Sequence, residues 1–430
     1  MEDTLKLPKV LVIDVNAWRN DAGSNTLREI FSCWDPERLA VVYTSSQMPD
    51  CAICNNYFQI SENQVLKSVF KPTIHVGRVV ANTPIDDSND AAEEKERYQK
   101  THRKRLKWIR LAREIVWKLG RWKTKGLEDF IADFDPDIIF VPIFPNAYMG
   151  RIQKHIIKLS GKPTVGYLAD DNYSYDACKN MWDYMHRFWV RQYVGPLARG
   201  CKEMFVIVDK EKEDTDSRFG TDSVILTKSI DFTDKSYVPK PCSIPLKFVY
   251  AGSILLGRDK TLALVADAIN EVNKDAVKAE LYIYSQNQPS TEMMQKLDCA
   301  SSHFCGSVPH QQIQGILQDA DVVVFAEALE GKDANIAKLS FSTKITDYLS
   351  NGKCILAIGK ADIAPIDYFN KYDSAIVATT KEEVLKQINT IIETPEIIDE
   401  YGAKAYDCAV KNHDKAIVSR RFIDTICKAT

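Results

Sequence analysis

Short aliphatic and β-branched runs recur along the chain. They alternate with segments whose apolar residues return every three or four positions. The runs lie at residues 9–15 (Lys-Val-Leu-Val-Ile-Asp-Val), 39–44, 137–142, 162–168, 204–208 and 223–226, and again at 248–251, 280–284, 303–305, 321–325 and 354–358. Continuous apolar runs of this length, bounded by polar turns, are the mark of strands buried on both faces of a parallel sheet. The segments between them predict helices near 26–33, 149–159, 181–198, 261–272, 293–297 and 311–317, and a mostly helical tail from about 396. Strands alternating with helices give an α/β, doubly wound arrangement. The alternation is interrupted at 227–245, which is polar and carries Pro239, Pro241 and Pro245. Such composition predicts a linker. The expected domains are therefore 1–235, 236–405 and a helical tail at 406–430.

A length of 430 residues fits two such domains, and 45% hydrophobic with 27% charged residues describes an ordinary globular core. The formal net charge of −3 gives no global basicity that would point to nucleic acid. Residues 1–10 are charged and lack a signal-peptide apolar run, and no window approaches the length of a spanning helix. The expectation is a cytoplasmic protein, with any membrane contact peripheral and at the inner face. Eleven scattered cysteines then read as reduced and largely structural. Cys51 and Cys54 form a lone Cys-x-x-Cys without two further ligands at zinc-site spacing.

One stretch differs in kind. Residues 100–125 contain a single acid, Glu114, among many lysines and arginines. Trp108, Leu111, Ile115 and Leu119 form one helical stripe, widened by Ile109, Val116 and Trp122. Basic residues beside tryptophan suit a helix lying in an anionic membrane interface. The same stripe equally suits a helix that packs its tryptophans into the domain and leaves its charges in water.

Candidate chemistry gathers at strand ends. After the first strand, Gly23 stands alone, so the Gly-x-Gly-x-x-Gly dinucleotide fingerprint is absent. The strand at 162–168 delivers Ala169-Asp170-Asp171-Asn172. Paired carboxylates there can bind a divalent metal, act as a base, hold sugar hydroxyls or cap a turn. The richest stretch is 340–358. Ser342 or Thr343 can cap a helix with Ile345, Tyr348 and Leu349 on one face, Gly352 can end it, and Lys344 places a cation in its first turn. In open α/β sheets ligands bind at the carboxyl ends of strands, and helix N-termini favour phosphate.

Four segments in order, Phe248-Val-Tyr-Ala-Gly-Ser253, Phe304-Cys-Gly-Ser-Val-Pro309, Ala320-Asp-Val-Val-Val324 and Ser342-Thr-Lys-Ile-Thr-Asp-Tyr-Leu-Ser-Asn-Gly-Lys-Cys-Ile-Leu356, carry a resemblance. Over about a third of the chain they resemble the nucleotide-sugar glycosyltransferases of GT-B architecture. They are most similar to the retaining enzymes of bacterial capsule, exopolysaccharide and O-antigen assembly. The resemblance implies two Rossmann-like doubly wound domains facing a cleft, and a hexosyltransferase-like activity that needs neither metal nor cofactor. It implies a nucleoside-diphosphate-sugar donor and a glycan or polyprenyl-linked acceptor. It assigns Gly252, Ser253, Arg258, Ser342, Thr343 and Lys344 to the donor diphosphate, Gly306, Ser307, Val308 and Pro309 to the nucleobase, and Asp347 to the ribose. Asp170, Arg258 and Lys344 become the catalytic candidates, and Glu327 and Glu330 the candidate sugar contacts. The chain departs from the pattern at Leu339, where an acid is expected, at Ser253, where an arginine is common, and at Ala169, where a histidine usually precedes the aspartate. A nucleotide-sugar epimerase of the same fold, or a non-catalytic nucleotide-sugar-binding scaffold, fits the same motifs.

Overall fold

The structure is a computed structural model that describes residues 7–20, 26–81 and 108–430. Its contacts divide the chain into two units. Unit 1 holds the described residues of Met1–Ile207, with Lys212–Thr227 and Ser419–Thr430; unit 2 holds Val208–Glu211 and Lys228–Val418.

Unit 1 is built on β1 (Val10–Asp14), β2 (Leu39–Tyr43), β3 (Asn56–Gln59), β4 (Arg78–Val80), β5 (Ile138–Pro142), β6 (Thr164–Leu168), β7 (Glu203–Val206) and β8 (Val224–Ile225). The sheet order is β4-β3-β2-β1-β5-β6-β7-β8, parallel throughout except for the β3–β4 pair. Every residue of β1, β2, β5 and β6 is buried, as a parallel sheet covered on both faces requires. The order runs outward from β1 in both directions, so the chain reverses between β1 and β5.

Unit 2 repeats the plan with β9 (Leu246–Ala251), β10 (Ala279–Tyr284), β11 (Ser302–Gly306), β12 (Val322–Ala326), β13 (Cys354–Ile358) and β14 (Ile376–Ala378). Its order is β11-β10-β9-β12-β13-β14, with every pair parallel. This is the Rossmann order, and its reversal between β9 and β12 opens a crevice at the strands' carboxyl ends.

The helices used below are α1 (Glu62–Phe70), α2 (Trp108–Leu119), α3 (Ala147–Ser160), α4 (Met181–Gly200), α5 (Arg258–Val272), α6 (Thr343–Ser350), α7 (Ala364–Tyr372), α8 (Glu396–His413) and α9 (Lys415–Ala429). The sequence places the first division at 235/236; the contacts place it at 227/228. Residue 230 explains the difference: Ile230 N–H donates to His413 O (2.8 Å) and Ile230 O accepts from Lys415 N–H (2.9 Å), which stitches the segment into unit 2. The expected separate tail is shared. Residues up to Val418 stay with unit 2, and the rest of α9 packs on unit 1, where fully buried Phe422 meets Phe31, Trp34, Phe140 and Phe205 at centroid distances of 4.9, 5.6, 6.0 and 5.5 Å.

The basic stretch resolves into α2, with residues 100–107 outside the described ones. Trp117 and Trp122 turn inward. Trp117 is fully buried, stacks on Tyr148 at 4.7 Å and donates to Glu62 on α1, while Trp122 is buried and donates to Trp117 O. The lone acid locks this helix down: buried Glu114 accepts from the Ala147 N–H at the start of α3 (2.8 Å) and from Arg151 Nη2 (2.8 Å), and lies 3.7 Å from His186 on α4. An anionic side chain at a helix N-terminus is favourable, and a charge-assisted bond to a guanidinium is stronger than a neutral one. Replacing Glu114 with Ala should therefore destabilise unit 1 by about 3 kcal/mol, because Arg151 and the end of α3 lose their acceptor together. Lys118→Ala on the exposed face should stay within about 0.5 kcal/mol. Urea unfolding of the two variants, followed by tryptophan fluorescence, checks both.

Candidate functional site

In unit 2 the crevice lies where the loops after β9 and β12 leave the sheet. The β9 loop begins at Gly252, whose N–H donates to Tyr284 O (2.8 Å). A Cβ at Gly252 would overlap Lys344 Nζ, so glycine is what allows that lysine to reach the loop. The turn is shaped by Tyr250, whose hydroxyl donates to Ser253 O (2.5 Å), and by the Ser253 hydroxyl, which accepts from Leu255 N–H (3.3 Å). Leu256 (φ 62°) and Gly257 (φ 80°) are both left-handed. Gly257 starts α5, and a Cβ there would come within 3.0 Å of Ala328 Cβ in the β12 loop.

Arg258, the first residue of α5, reaches across the strand reversal. Its Nε and Nη2 donate to the two carboxylate oxygens of Glu327 at 2.9 and 2.8 Å. Glu327 is buried and follows directly on β12; its N–H donates to Ile358 O and its carbonyl accepts from Thr261 Oγ1 (both 2.8 Å). The sequence reads Arg258 as a cation for phosphate and Glu327 as a sugar contact. The structure instead joins them in a fork of two parallel bonds, so much of the guanidinium charge is already balanced.

Lys344 is different. Its ammonium lies 5.7 Å from the centroid of Tyr250 and makes no hydrogen bond or salt bridge among the described residues. Its pKa is pushed down to about 8, chiefly by burial and then by the Arg258 charge, with Glu327 pulling weakly the other way. Lys344 sits in the first turn of α6, whose N-cap Ser342 is extended (φ −71°, ψ 130°) and makes no side-chain capping bond. The Thr343 and Lys344 N–H groups have no intrahelical acceptor there, so they and the lysine form one electropositive end. A tetrahedral anion with several oxygens matches that array.

The remaining candidates are placed as follows. Gly306 (φ 72°) ends β11, its carbonyl accepts from Ser285 N–H (2.8 Å), and Ser307, Val308 and Pro309 form a largely exposed turn at the same carboxyl edge, two strands from β9. Glu330 is exposed at the start of a four-residue helix, apart from the Arg258–Glu327 fork. Asp347 on α6 accepts from Lys228 Nζ at 2.7 Å, a partner 119 residues away that no local pattern signals. Lys228 is held in turn: its carbonyl lies 3.1 Å from His413 Nδ1, and His413 Nε2 lies 2.9 Å from Tyr368 Oη on α7. Burial pushes the His413 pKa down to about 4, so the ring is neutral and serves as a structural bridge. Leu339, where the resemblance calls for an acid, is buried.

In unit 1 the two adjacent carboxylates separate in role. Asp171 accepts from Ser174 N–H (2.8 Å), Tyr173 N–H (3.1 Å) and the Ser174 hydroxyl. Burial would raise its pKa, but the Ser174 and Tyr173 hydrogen bonds and the Arg187 charge hold it below the usual carboxylate range. It is the turn cap. Asp170 is exposed at the end of β6.

No protein-family model and no curated protein matches the sequence. Solved structures do match. HepE of Anabaena in complex with UDP covers 98% of this chain and 100% of its own at 11% identity, with a TM-score of 0.61. A sucrose-phosphate synthase from Thermosynechococcus elongatus covers 97% and 98% at 10% identity (TM-score 0.61), and a glycosyltransferase from Rickettsia africae covers 98% of each chain at 9% identity (TM-score 0.55). These are GT-B structures, and at this identity the likeness is one of fold: two Rossmann-like units in one chain.

Charge at Lys344 has a measurable cost. The unfolded-chain value is 10.5 and the folded one about 8, so keeping the ammonium charged there, partly desolvated and beside Arg258, costs about 3 kcal/mol below pH 8. That cost fades as pH rises from 8 to 10.5. Lys344→Met should accordingly be more stable than the parent by up to about 3 kcal/mol at pH 7, with the difference closing above pH 10. Melting temperatures of both proteins between pH 7 and 10.5 check this.

Proposed function

We propose that this chain is a glycosyltransferase that takes a sugar from a nucleoside-diphosphate sugar and passes it to a glycan or lipid-linked acceptor. The observation that carries the reading is Lys344: a half-buried ammonium that bonds no carboxylate among the described residues, at the open end of α6 and at the strand reversal of a Rossmann sheet. An ammonium held out of water without a carboxylate costs stability, and perturbed groups of this kind concentrate at functional sites.

In this reading the donor diphosphate lies against the Thr343 and Lys344 N–H groups, with Ser342 and Lys344 side chains and the close backbone of Gly252. Arg258 keeps Nη1 for the phosphate while Glu327 fixes the plane of its guanidinium. The turn at Gly306, Ser307, Val308 and Pro309 takes the base. Asp347, oriented by Lys228, accepts from the ribose hydroxyls through whichever oxygen the lysine leaves open. UDP is the diphosphate of choice, because HepE, a structure of the same fold, is solved with UDP and with UDP-glucose. As the bond from the sugar's anomeric carbon to the phosphate oxygen breaks, negative charge grows on the diphosphate. Lys344, the α6 dipole and Arg258 stabilise it without a metal. The acceptor oxygen bonds to the same face of the anomeric carbon, giving retention, and its proton passes to the departing phosphate oxygen. Asp170 and Glu330 are assigned to recognition of acceptor and sugar. The setting we propose is surface-polysaccharide assembly at the cytoplasmic face of a membrane.

Titration calorimetry with UDP tests the donor site. Lys344→Ala should weaken binding at least about tenfold, the loss expected for one charge-assisted contact to phosphate. In the parent, affinity should fall as pH rises above about 8, because the free protein then no longer carries the lysine proton. Equal affinity in both proteins, or a flat profile from pH 7 to 9.5, would reject the site. Incubation with UDP-sugars alone separates transferase from epimerase: slow hydrolysis supports transfer, and a changed sugar configuration supports epimerisation.

A further inference from the structure

One ion pair beside the cationic end of α6 has bonding capacity to spare. Lys228 Nζ donates to Asp347 Oδ1 at 2.7 Å. Both side chains stay partly open to solvent, Lys228 at 12% and Asp347 at 26% exposure. Asp347 lies three residues after Lys344 and four after Thr343, so the three share one side of α6. The pair therefore sits one helical turn along from the array that faces the diphosphate.

Lys228 is held from behind. Its carbonyl can only accept, so His413 Nδ1 carries the ring proton and donates to it (3.1 Å). The neutral ring leaves Nε2 to accept from the Tyr368 hydroxyl (2.9 Å), and the His413 carbonyl takes the Ile230 N–H (2.8 Å). Phe341 stacks on the same ring, 6.1 Å away at 13°, and leads directly into Ser342. One histidine thus fixes the backbone of Lys228 and braces the chain as it enters α6.

An ammonium has three N–H groups and a carboxylate has two oxygens. The ion pair uses one of each. Asp347 Oδ2 and the remaining Lys228 protons meet no partner among the described residues. A carboxylate on its own accepts from both hydroxyls of a vicinal diol, one on each oxygen, but here one oxygen is already taken. A diol is then met by both groups: Oδ2 accepts from one hydroxyl, and Lys228 donates to the oxygen of its neighbour.

We propose that Lys228 is a specificity residue of the donor site, acting with Asp347 to recognise the intact 2′,3′-diol of a ribonucleoside diphosphate. The inference rests on the donor-site reading given above and narrows it to a substrate class. Sugars carried on a 2′-deoxy nucleotide, such as thymidine diphosphate, leave one of the two charged groups covered and unpaired, and sites built to bond a hydroxyl reject ligands that lack it.

Titration calorimetry with UDP, 2′-deoxy-UDP and 3′-deoxy-UDP tests this. The parent should bind each deoxy analogue at least about tenfold more weakly than UDP, the loss expected for a hydrogen bond to a charged group. In Lys228→Met the penalty for one analogue should shrink to within about twofold while the other persists, and Lys228→Arg should restore both. Parent-like circular dichroism confirms that each variant is folded. Deoxy analogues that bind the parent as tightly as UDP would overturn the proposal. So would two undiminished penalties in Lys228→Met, which would make the lysine a strap that only holds α6. A parent that binds none of the three defeats the donor-site reading itself, and the specificity role falls with it.

Discussion

A half-buried positive charge that bonds no carboxylate among the described residues is the constraint around which unit 2 is arranged. Lys344 lies against the loop after β9, and glycine at 252 leaves its ammonium the place that a Cβ would take. It needs a second cation kept from overwhelming it, and the Glu327 carboxylate binds Arg258 through both oxygens. It needs an apolar wall that still tolerates a cation, and the Tyr250 ring provides one. Each arrangement is local, but each joins segments far apart in the chain. The Rossmann order brings them together, because β9 and β12 are neighbours in the sheet although about 70 residues separate them.

The same logic explains why the arginine and lysine differ. An arginine presents five N–H groups in a fixed plane and can serve a carboxylate and a phosphate at once. A lysine is a point charge whose protonation responds to burial. Pairing the arginine and leaving the lysine single gives a site that is rigid in one place and responsive in another. The Lys228–Asp347 contact extends this rigidity along α6 and ties it, through His413 and Tyr368, to the segment where the chain enters unit 2.

Much of the fold was legible in the sequence, because wholly buried strands such as 10–14, 138–142 and 354–358 are uninterrupted apolar runs. The strands that escaped are short or marginal: Asn56–Gln59 and Arg78–Val80 lie toward one edge of the sheet, and Ile376–Ala378 spans three residues. The positions of Lys344 and the α6 N-terminus followed from local pattern, and that of Gly252 from the resemblance. Their pairings did not. Glu327 to Arg258 and Lys228 to Asp347 are long-range contacts, and one sequence carries no periodicity that reports them. The stripe at 108–122 shows the limit most clearly: tryptophans facing a bilayer and tryptophans facing Tyr148 obey the same helical spacing. Glu114 was the discriminating residue, since a single carboxylate among so many cations has a reason to be inside.

The last helix has a further consequence for how the protein is made. Phe422 closes the aromatic cluster over β5 and β7 of unit 1, although it is encoded after the whole of unit 2. A ribosome therefore releases residues 228–418, a contiguous segment, before the amino-terminal sheet can complete its core. The domain begun first is finished last, since Phe140 and Phe205 gain their Phe422 contacts only with α9.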